Sequence, residues 1–563
     1  MSHSNHAPSH RAELLASPAD RIVRGWVLFA LSMAVLLLAW RMPDLIRRWH
    51  IVDTYPFQMD VQEGYLLNQA ISLANNGTIY PSLQEPPFLV GNYPPLYPWV
   101  YGWFNGPEAR MASLPIGRLL AQVSVALAAL MLGLIVAART RRVLPALLAP
   151  LLLLITFEVY DWSAYARVDL PALMLTLSGM AVFLLVRAQW GLVLAGVLFV
   201  AAGLTRQTVL LAPASCVVAL AIHDRSRLMW LVGTMAVAGL VALGGLQWAT
   251  DGEFFRHVVL YNVNRMDWTA WLRLMQNEVW FFYRGLLVGL VVLAMGRMTC
   301  HGLRSRAETP GTPYEASPGR FRELPHTRHA VGIYVMVSTL SLLSYAKVGA
   351  APNYMLEPLA AWALWGAESM GRLQEAHQVR QGRRGRVVTG IAMGLAAAAM
   401  LAHGVRMSPG PWPTPERPHL GYRVGQVAFS SPNPTDGNRA VAHRLLETVR
   451  RTPGEVFCEE PIYTLLSDKR VWFEPFIMSQ LAKEGRWNQA GCLDYLRGQR
   501  VNLLVIGEDL SKGAEGAPYT RYTQQFAEVL VQHYKLTRVW ERSRRRSWGG
   551  LGGRYYVWRP LTE

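Results

Sequence analysis

Long apolar segments separated by short polar connections recur along most of this 563-residue chain. A helix that spans a bilayer needs roughly 17 to 25 mostly apolar residues, and by that measure we count about eleven candidates. The segments therefore predict a polytopic α-helical membrane protein. They lie at residues 25–41, 116–138, 143–159, 170–187, 191–204, 209–222, 229–248, 280–298, 330–346, 358–370 and 387–403.

Basic residues occur in alternate connections, which is typical of cytoplasmic loops. Examples are Arg139-Thr-Arg-Arg142, Arg304-Ser-Arg306 and Arg383-Arg-Gly-Arg386. This orientation places the leader, residues 1–24, in the cytoplasm, and an odd number of spans then places the C-terminal region outside. We expect a multi-pass protein of the cell inner (plasma) membrane. The loops account for the net charge of +17, so no nucleic-acid partner is predicted.

The sequence divides into a membrane region, 25–404, and a C-terminal region, 405–563. The membrane region contains a first outer loop at 42–114. Proline-rich 409–418 indicates a linker. Beyond it, short strand patterns among helical patterns predict a soluble, exported α/β domain. These strand patterns lie at 456–457, 501–506 and 555–558.

Three further predictions concern the outer regions. Residues 61–75 carry apolar side chains at helical spacing, so we predict an amphipathic helix lying on the membrane. Export would permit a Cys458–Cys492 disulfide, and two unpaired buried thiols are the alternative. The basic segment 542–546 could contact anionic lipid headgroups, with a solvated surface as the default interpretation.

Charged residues that the cytoplasmic loops do not explain occur at the outer ends of the predicted helices. Charges near a membrane are costly and so point to function, and we expect these to converge on one face at the outer leaflet. A secondary transporter would instead carry ionisable groups near the bilayer midplane and two related halves. The residues are Asp60, Glu63, Arg167, Asp169, Arg206, His257, Lys347 and Glu357.

Asp60 and Glu63 stand three residues apart in the first outer loop. In a helix, both carboxylates would project from the same side toward the membrane surface. One of them could act as the general base that removes a proton from an acceptor hydroxyl. The alternative is an acidic pair that caps or solvates an interfacial helix.

The other candidates also have two interpretations. Arg167 and Asp169 either bind substrate or lock the start of the fourth span. Arg206 and Lys347 either bind a phosphate or extend toward the membrane interface. His257 and Asn262 are candidate polar ligands for a sugar, and no second ligand at zinc spacing accompanies the histidine.

Five motifs follow one another between the apolar segments. They are Asp60-Val-Gln-Glu-Gly-Tyr65, Asn92-Tyr-Pro-Pro-Leu-Tyr-Pro98, Ala166-Arg-Val-Asp169, Leu204-Thr-Arg-Gln-Thr208 and Asn353-Tyr-Met-Leu-Glu357. In this order, over residues 53–358, the chain resembles the bacterial GT-C glycosyltransferases. The nearest named relatives are the family 39-like enzymes, which include protein O-mannosyltransferases and the aminoarabinose transferase of lipid A.

The resemblance implies transfer of a sugar from a polyprenyl-phosphate donor at the outer face of the membrane. The first-loop acid would deprotonate an acceptor hydroxyl, which attacks the anomeric carbon with inversion. Asp60 is the first choice for this base and Glu63 the second. Many members carry an adjacent Asp-Glu pair here, whereas this chain has Gln62 before its glutamate.

The resemblance also implies substrate contacts. Asp169 matches the second-loop acid of the family, and Arg206 and Lys347 are the candidates for phosphate contacts. Arg167, His257, Asn262, Asn353, Tyr354 and Glu357 complete the predicted substrate-binding set.

The expected partners are the lipid-linked donor, membrane lipids, and an acceptor that is a lipid, a glycan or a protein. The chemistry requires no metal, although some relatives use a divalent one. A polytopic transporter and a non-catalytic component of cell-envelope polymer export or assembly are the alternatives.

Overall fold

The computed structural model of the chain describes residues 42–105, 113–262, 264–307, 324–378, 383–406, 423–424, 427–428, 433–513, 521–541 and 554–561, with some positions between 25 and 40. The leader 1–24, the predicted linker 409–418 and the basic segment 542–546 lie outside the described residues. The first predicted span, 25–41, is helical at its described positions through residue 39.

The first outer loop contains helices α1, Met42–Asp53, α2, Val61–Ala74, and α3, Leu96–Asn105. α2 and α3 approach closely because Gly102 has no side chain. A Cβ at this position would lie 2.5 Å from the carbonyl oxygen of Ala70, which is backbone and cannot move aside. The glycine therefore lets α3 lie close to α2.

The membrane region is a bundle of helices in which α4 packs against α5 and α7, α9 packs against α14, and α13 packs against α16. The helices are α4, Leu114–Thr140; α5, Val143–Leu154; α6, Phe157–Trp162; α7, Asp169–Leu185; α8, Gln189–Thr205; α9, Leu211–His223; α10, Arg225–Ala249; α11, Glu253–Val258; α12, Trp268–Leu274; α13, Phe281–Ala307; α14, Pro325–Leu340; α15, Leu356–Gln378; and α16, Arg383–Arg406.

Three described helical stretches are long and apolar enough to cross a membrane by length and composition: Leu114–Thr140, Arg225–Ala249 and Pro325–Ala346. Shorter apolar helices coincide with further predicted spans, at Val143–Leu154, Asp169–Leu185, Gln189–Thr205, Leu211–His223 and Val387–Met400. The predicted span at 143–159 is interrupted after α5, because Thr156 caps a new helix by accepting the Val159 N–H.

The C-terminal region is an α/β domain built on a four-stranded sheet. The strand order is β3-β4-β6-β5, with β3 parallel to β4 and the other pairs antiparallel. The strands are β3, Glu455–Cys458; β4, Val501–Ile506; β5, Tyr534–Glu541; and β6, Arg554–Pro560. A separate ribbon pairs β1, Arg423–Val424, with β2, Val427–Ala428. The helices are α17, Asp436–Arg451; α18, Ile462–Leu465; α19, Pro475–Lys483; α20, Ala490–Arg497; and α21, Gln524–His533.

The prediction that the helix at 61–75 lies on the membrane was wrong in its placement. α2 forms as predicted, but it is covered by the C-terminal domain. Leu66 and Leu67 belong to one buried cluster with Ile462 and Leu503 of that domain. The apolar side chains of α2 therefore pack against protein, and its amphipathic pattern reflects domain contact instead of lipid contact.

The first outer loop also supplies side chains to the opposite face of the sheet. Phe88 and Val90 pack in a cluster with Trp472 and Phe473 of the C-terminal domain. The backbone N–H of Phe88 donates to the carbonyl of Trp472 at 2.7 Å. The loop and the domain thus pack together as one folded unit.

Cys458 and Cys492 are free and buried. The structure therefore has the two unpaired thiols that were the alternative to a Cys458–Cys492 disulfide. Burial raises the pKa of both thiols. Neither thiol is therefore ionised near neutral pH.

Candidate active site

Asp60 is held at the start of α2 as its N-cap residue. Its carboxylate accepts the backbone N–H of Gln62 at 3.0 Å. Glu63 completes the arrangement, because its own carboxylate accepts the Asp60 N–H at 3.2 Å. This reciprocal capping satisfies N–H groups that the start of a helix leaves without partners. The capping interpretation of the acidic pair therefore describes its local structure.

Glu63 is enclosed in a pocket with Arg118 of α4. The guanidinium donates to both carboxylate oxygens, at 2.9 and 3.2 Å, and both side chains are fully buried. The Ala166 N–H donates to Glu63 Oε1 at 2.9 Å. Arg118 also donates to the backbone carbonyls of Val52, Tyr55 and Phe57. Glu63 thus ties the first loop to α4 and to the loop before α7.

Helical spacing predicted that the two carboxylates project from the same side of the helix. The structure shows that they do not. Glu63 is inside the helix and faces Arg118, whereas Asp60 precedes the first helical turn and faces Arg167. Helical spacing does not apply to Asp60 because an N-cap residue has an extended backbone. The structure therefore separates the two residues that sequence reasoning treated as alternatives.

Arg167 bridges two carboxylates in the loop before α7. Its Nη1 lies 2.6 Å from Asp60 Oδ1, and its Nε lies 3.0 Å from Asp169 Oδ2. Nη2 donates to the hydroxyl of Tyr93 at 3.2 Å. The two aspartates and the arginine are all at least nine-tenths buried. These short, buried and charged contacts fix Asp60 relative to the start of α7.

Asp169 extends this series toward α8 and α15. Nη1 of Arg206, which follows α8, lies 2.7 Å from Asp169 Oδ1. Nδ2 of Asn353 donates to the same oxygen at 2.7 Å. The Arg206 guanidinium also lies over the ring of Tyr354, 5.3 Å from its centre. We call the continuous series Asp60, Arg167, Asp169 and Arg206 the Asp60–Arg206 chain.

Lys347 adds a positive charge close to the end of this chain. It follows the 3₁₀ segment Ser341–Ala346. Burial lowers the pKa of Lys347, and repulsion by Arg206 lowers it further. Three cations, Arg167, Arg206 and Lys347, stand against the two aspartates, so the group has a net positive charge. Like charges held together in a buried site favour an anionic ligand.

Buried amide oxygens occur on Asn353, which donates to Asp169, and on two sequence neighbours of site residues, Gln207 beside Arg206 and Asn92 beside Tyr93. Asn92 Oδ1, Gln207 Oε1 and Asn353 Oδ1 make no hydrogen bond to any of the described residues. Buried carbonyl acceptors are normally satisfied, so these three are available to hydrogen-bond donors on a ligand. Hydroxyl groups of a sugar are donors of this kind.

His257 and Asn262 hold the backbone of the Asn92-Tyr-Pro-Pro motif. The His257 ring accepts the Gly91 N–H at its Nδ1, 3.0 Å away, and its Nε2 lies 2.8 Å from the Pro81 carbonyl. Asn262 Nδ2 donates to the Asn92 carbonyl at 3.1 Å. Burial lowers the pKa of His257 to about 4, so the ring is neutral. Both ring nitrogens are used within the protein, which favours a positioning role.

Glu357 lies close enough to Arg206 for an electrostatic interaction with that guanidinium, but its described hydrogen bond goes elsewhere. It stands in the first turn of α15 and accepts the Ala212 N–H of α9 at 3.2 Å. This contact ties two membrane helices together. Its contribution to substrate binding remains a prediction.

Sequence reasoning missed three residues that shape the site. Arg118 carries a charge at the outer end of a predicted span, and charges in such places are the signal that identified the other candidates. Tyr93 stands within a motif that was quoted for the resemblance. Glu474 reaches the site from the C-terminal domain, where its carboxylate accepts Gln62 Nε2 at 3.2 Å. No local signal marks Glu474, because its partner lies 412 residues away in sequence.

A metal-binding group is not found among the described residues, where no three His, Cys, Asp or Glu side chains are gathered around one point. Asp60 and Asp169 are the acidic side chains at the centre of the site. The guanidinium of Arg167 already occupies the space between them. We therefore derive no catalytic step through a metal.

No protein-family profile and no curated protein sequence matches the chain. Among solved structures, the chain is similar to ArnT from Cupriavidus metallidurans in the apo state, with a TM-score of 0.52 and 11% identity over 95% of this chain and 98% of that chain. It is similar to the same protein bound to undecaprenyl phosphate, with a TM-score of 0.50 and 12% identity over the same shares. For the archaeal oligosaccharyltransferase AglB from Archaeoglobus fulgidus, the TM-score is 0.48 and the identity is 12%, over 85% of this chain and 69% of that chain.

At this level of identity, the likeness to ArnT shows the fold. The chain shares the fold of ArnT, and in this chain a polytopic helical membrane region is followed by a C-terminal α/β domain. The fold class predicted from the sequence is thereby confirmed, and the predicted resemblance is confirmed at the level of the fold.

Proposed function

We propose that this protein is an integral membrane glycosyltransferase. It transfers a sugar from a polyprenyl-phosphate donor to an acceptor hydroxyl at the outer face of the inner membrane, with inversion at the anomeric carbon. The N-terminus is cytoplasmic and the C-terminal domain lies outside. The solved structure of ArnT with undecaprenyl phosphate supports a donor of this class, because that protein shares the fold.

The Asp60–Arg206 chain is the observation that carries the proposal. It connects a carboxylate in the first outer loop to cations at the ends of membrane helices, through contacts of 2.6, 3.0 and 2.7 Å. Glycosyl transfer from a lipid phosphate needs a base for the acceptor and cations for the departing phosphate. The Asp60–Arg206 chain holds a candidate base and candidate phosphate-binding cations in one rigid arrangement.

Asp60 is the base in this proposal. Burial raises the pKa of Asp60 above its ordinary value, and Arg167 limits the rise. The carboxylate is therefore a stronger base than an exposed aspartate and stays ionised while its arginine partner is in place. Glu63 is the less suitable candidate, because both of its oxygens are already bonded to the Arg118 guanidinium.

Arg206 and Lys347 bind the phosphate of the donor. Their charges are not fully compensated by Asp169, so a phosphate group would neutralise the site. Tyr354 supports the Arg206 guanidinium from its ring face. Asn353, Gln207 and Asn92 then offer free amide oxygens to the hydroxyls of the sugar.

The reaction follows from this placement. The acceptor hydroxyl transfers its proton to Asp60, and its oxygen forms a bond to the anomeric carbon. The bond between that carbon and the phosphate oxygen breaks, and its electron pair leaves with the lipid phosphate. Arg206 and Lys347 stabilise the negative charge that develops there. Attack opposite to the leaving group inverts the anomeric configuration.

The purified protein in liposomes tests this function directly. The assay supplies radiolabelled polyprenyl-phosphate sugars and membrane-derived acceptors, and NMR of the product reports its anomeric configuration. Transfer with inversion is expected. Retention of configuration would overturn the mechanism. Absence of transfer with every donor, together with a polymer-export defect in a deletion strain, would favour the non-catalytic export component.

Lys347→Met is expected to weaken binding of the donor phosphate. A hydrogen bond to a charged group contributes about 1.5–3 kcal/mol, so we expect roughly a 10- to 100-fold rise in the KM for the donor. The inhibition constant of free polyprenyl phosphate should rise in parallel. Lys535→Met on the exposed edge of β5 is the matched control and should change neither value. An unchanged KM in Lys347→Met would remove this lysine from the phosphate site.

A further inference from the structure

Glu474 is the point at which the C-terminal domain enters the active site. It stands immediately before α19 and is 2% exposed. Its carboxylate accepts the side-chain amide of Gln62 at 3.2 Å and also the backbone N–H of Val90. Burial raises the pKa of Glu474 to about 7. A buried carboxylate that stays in such a place needs the donors that surround it.

The two donors belong to the two segments that form the catalytic face of the first loop. Gln62 donates its own backbone N–H to Asp60 Oδ1 at 3.0 Å. Val90 begins the short stretch that leads to Tyr93, whose hydroxyl accepts from Arg167. The carboxylate of Glu474 therefore links the segment that contains Asp60 to the segment that leads to Tyr93, and both segments contact Arg167.

The backbone around Glu474 is itself fixed to the same loop. Its N–H donates to the Phe88 carbonyl at 3.1 Å, and the Phe88 N–H donates to the Trp472 carbonyl at 2.7 Å. The hydroxyl of Tyr65, on α2, donates to the Phe473 carbonyl at 3.2 Å. These contacts fix the position of the glutamate backbone relative to the loop. The carboxylate is therefore held within hydrogen-bonding distance of its donors.

We propose that Glu474 is a positioning residue for Asp60, through which the C-terminal domain sets the geometry of the catalytic base. The proposal rests on the proposed function of Asp60. Glu474 does not touch the substrate. It acts through hydrogen bonds to Gln62 and Val90, and its charge takes no part in the proton transfer. The domain is therefore a structural part of the active site and more than an appended module.

Glu474→Met tests the role by removing the acceptor while keeping an unbranched side chain of similar length. Asp60 then loses its support, and a displacement on the order of 1 Å at a catalytic group can cost about 100-fold in rate. We expect kcat to fall about 10- to 100-fold, with the KM for the donor unchanged because Arg206 and Lys347 are untouched. Glu528→Met, an exposed position in the same domain, is the matched control and should retain full activity.

Glu474→Gln separates positioning from proton transfer. The glutamine oxygen can accept the Val90 N–H, and its amide can donate to the Gln62 oxygen once that amide turns over. We expect kcat to recover to within about threefold of the native value because the hydrogen bonds are restored. A kcat as low as that of Glu474→Met would show that the charge itself is required and would overturn the proposal. A native kcat in Glu474→Met would overturn it as well.

A second readout does not depend on the reaction. Hydrogen exchange of the backbone amides at 60–66 and 88–93 should be faster in Glu474→Met and native-like in Glu474→Gln. If these changes occur but the native protein transfers no sugar, the proposed function fails and the positioning contact stands. If the native protein is active while exchange and kcat are unchanged in Glu474→Met, the positioning role alone fails. Should Glu474→Met not fold, Gln62→Leu removes the same contact from the loop side, and a native kcat in it would overturn the proposal.

Discussion

Asp60→Asn is expected to lower sugar transfer by about 10²- to 10⁴-fold, the range that a general base contributes. Asparagine is as good an N-cap as aspartate, so it can still accept the Gln62 N–H and hold the start of α2. Arg167 keeps its second partner, Asp169, at 3.0 Å. The variant therefore removes the basic group and leaves the local structure in place.

The measurement for Asp60→Asn is the initial rate of transfer in liposomes, with thermal unfolding in detergent as the check on folding. The unfolding temperature should stay close to the native one. Asp494→Asn is the matched control, because it breaks an exposed ion pair with Arg497 and should affect neither rate nor stability. A folded Asp60→Asn protein with a native transfer rate would exclude Asp60 as the base.

Glu63→Gln is expected to destabilise the protein by about 3–5 kcal/mol, because breaking a buried ion pair leaves an uncompensated charge. Arg118 would keep its positive charge at a position with no exposure to solvent. Its remaining partners are backbone carbonyls, which accept hydrogen bonds but do not neutralise it. We expect a large drop in the unfolding temperature, together with loss of the folded fraction in mild detergent.

Glu447→Gln provides the matched comparison for Glu63→Gln. It also breaks a glutamate–arginine pair, but Arg451 and Glu447 are 79% and 46% exposed, so less than about 1 kcal/mol should be lost. A Glu63→Gln protein of native stability that transfers no sugar would contradict the structural role and return Glu63 to the position of candidate base. The two acidic residues are thus distinguished by stability as well as by rate.

The sequence was sufficient to predict the fold class and that several charged residues meet at one place. Apolar segments of spanning length report the membrane helices directly, because lipid requires apolar side chains on the outside and satisfied backbone groups inside. Charges in such a chain are confined to few positions. Four of the charged residues predicted to lie at the outer ends of helices are therefore in contact in the structure. They are Asp60, Arg167, Asp169 and Arg206.

Local patterns were less informative outside the membrane. Strand β5, Tyr534–Glu541, has mostly exposed side chains on both faces and so lacks the alternation that marks a strand. The apolar face of α2 carries the signature of an amphipathic helix, which is the same whether the partner is lipid or protein. Periodicity shows that a face is covered and does not show what covers it.

The sequence by itself determined the membrane helices, the C-terminal α/β domain and the charged side chains that meet in the candidate site. Only the tertiary structure decided which of these side chains contact one another. It directed Glu63 to Arg118 and Asp60 to Arg167, although the two acids are three residues apart. It brought Glu474 to Gln62 across 412 residues of sequence. The physical reason is that hydropathy and spacing record contacts within one helix or strand, whereas hydrogen bonds between distant segments depend on how the whole chain packs.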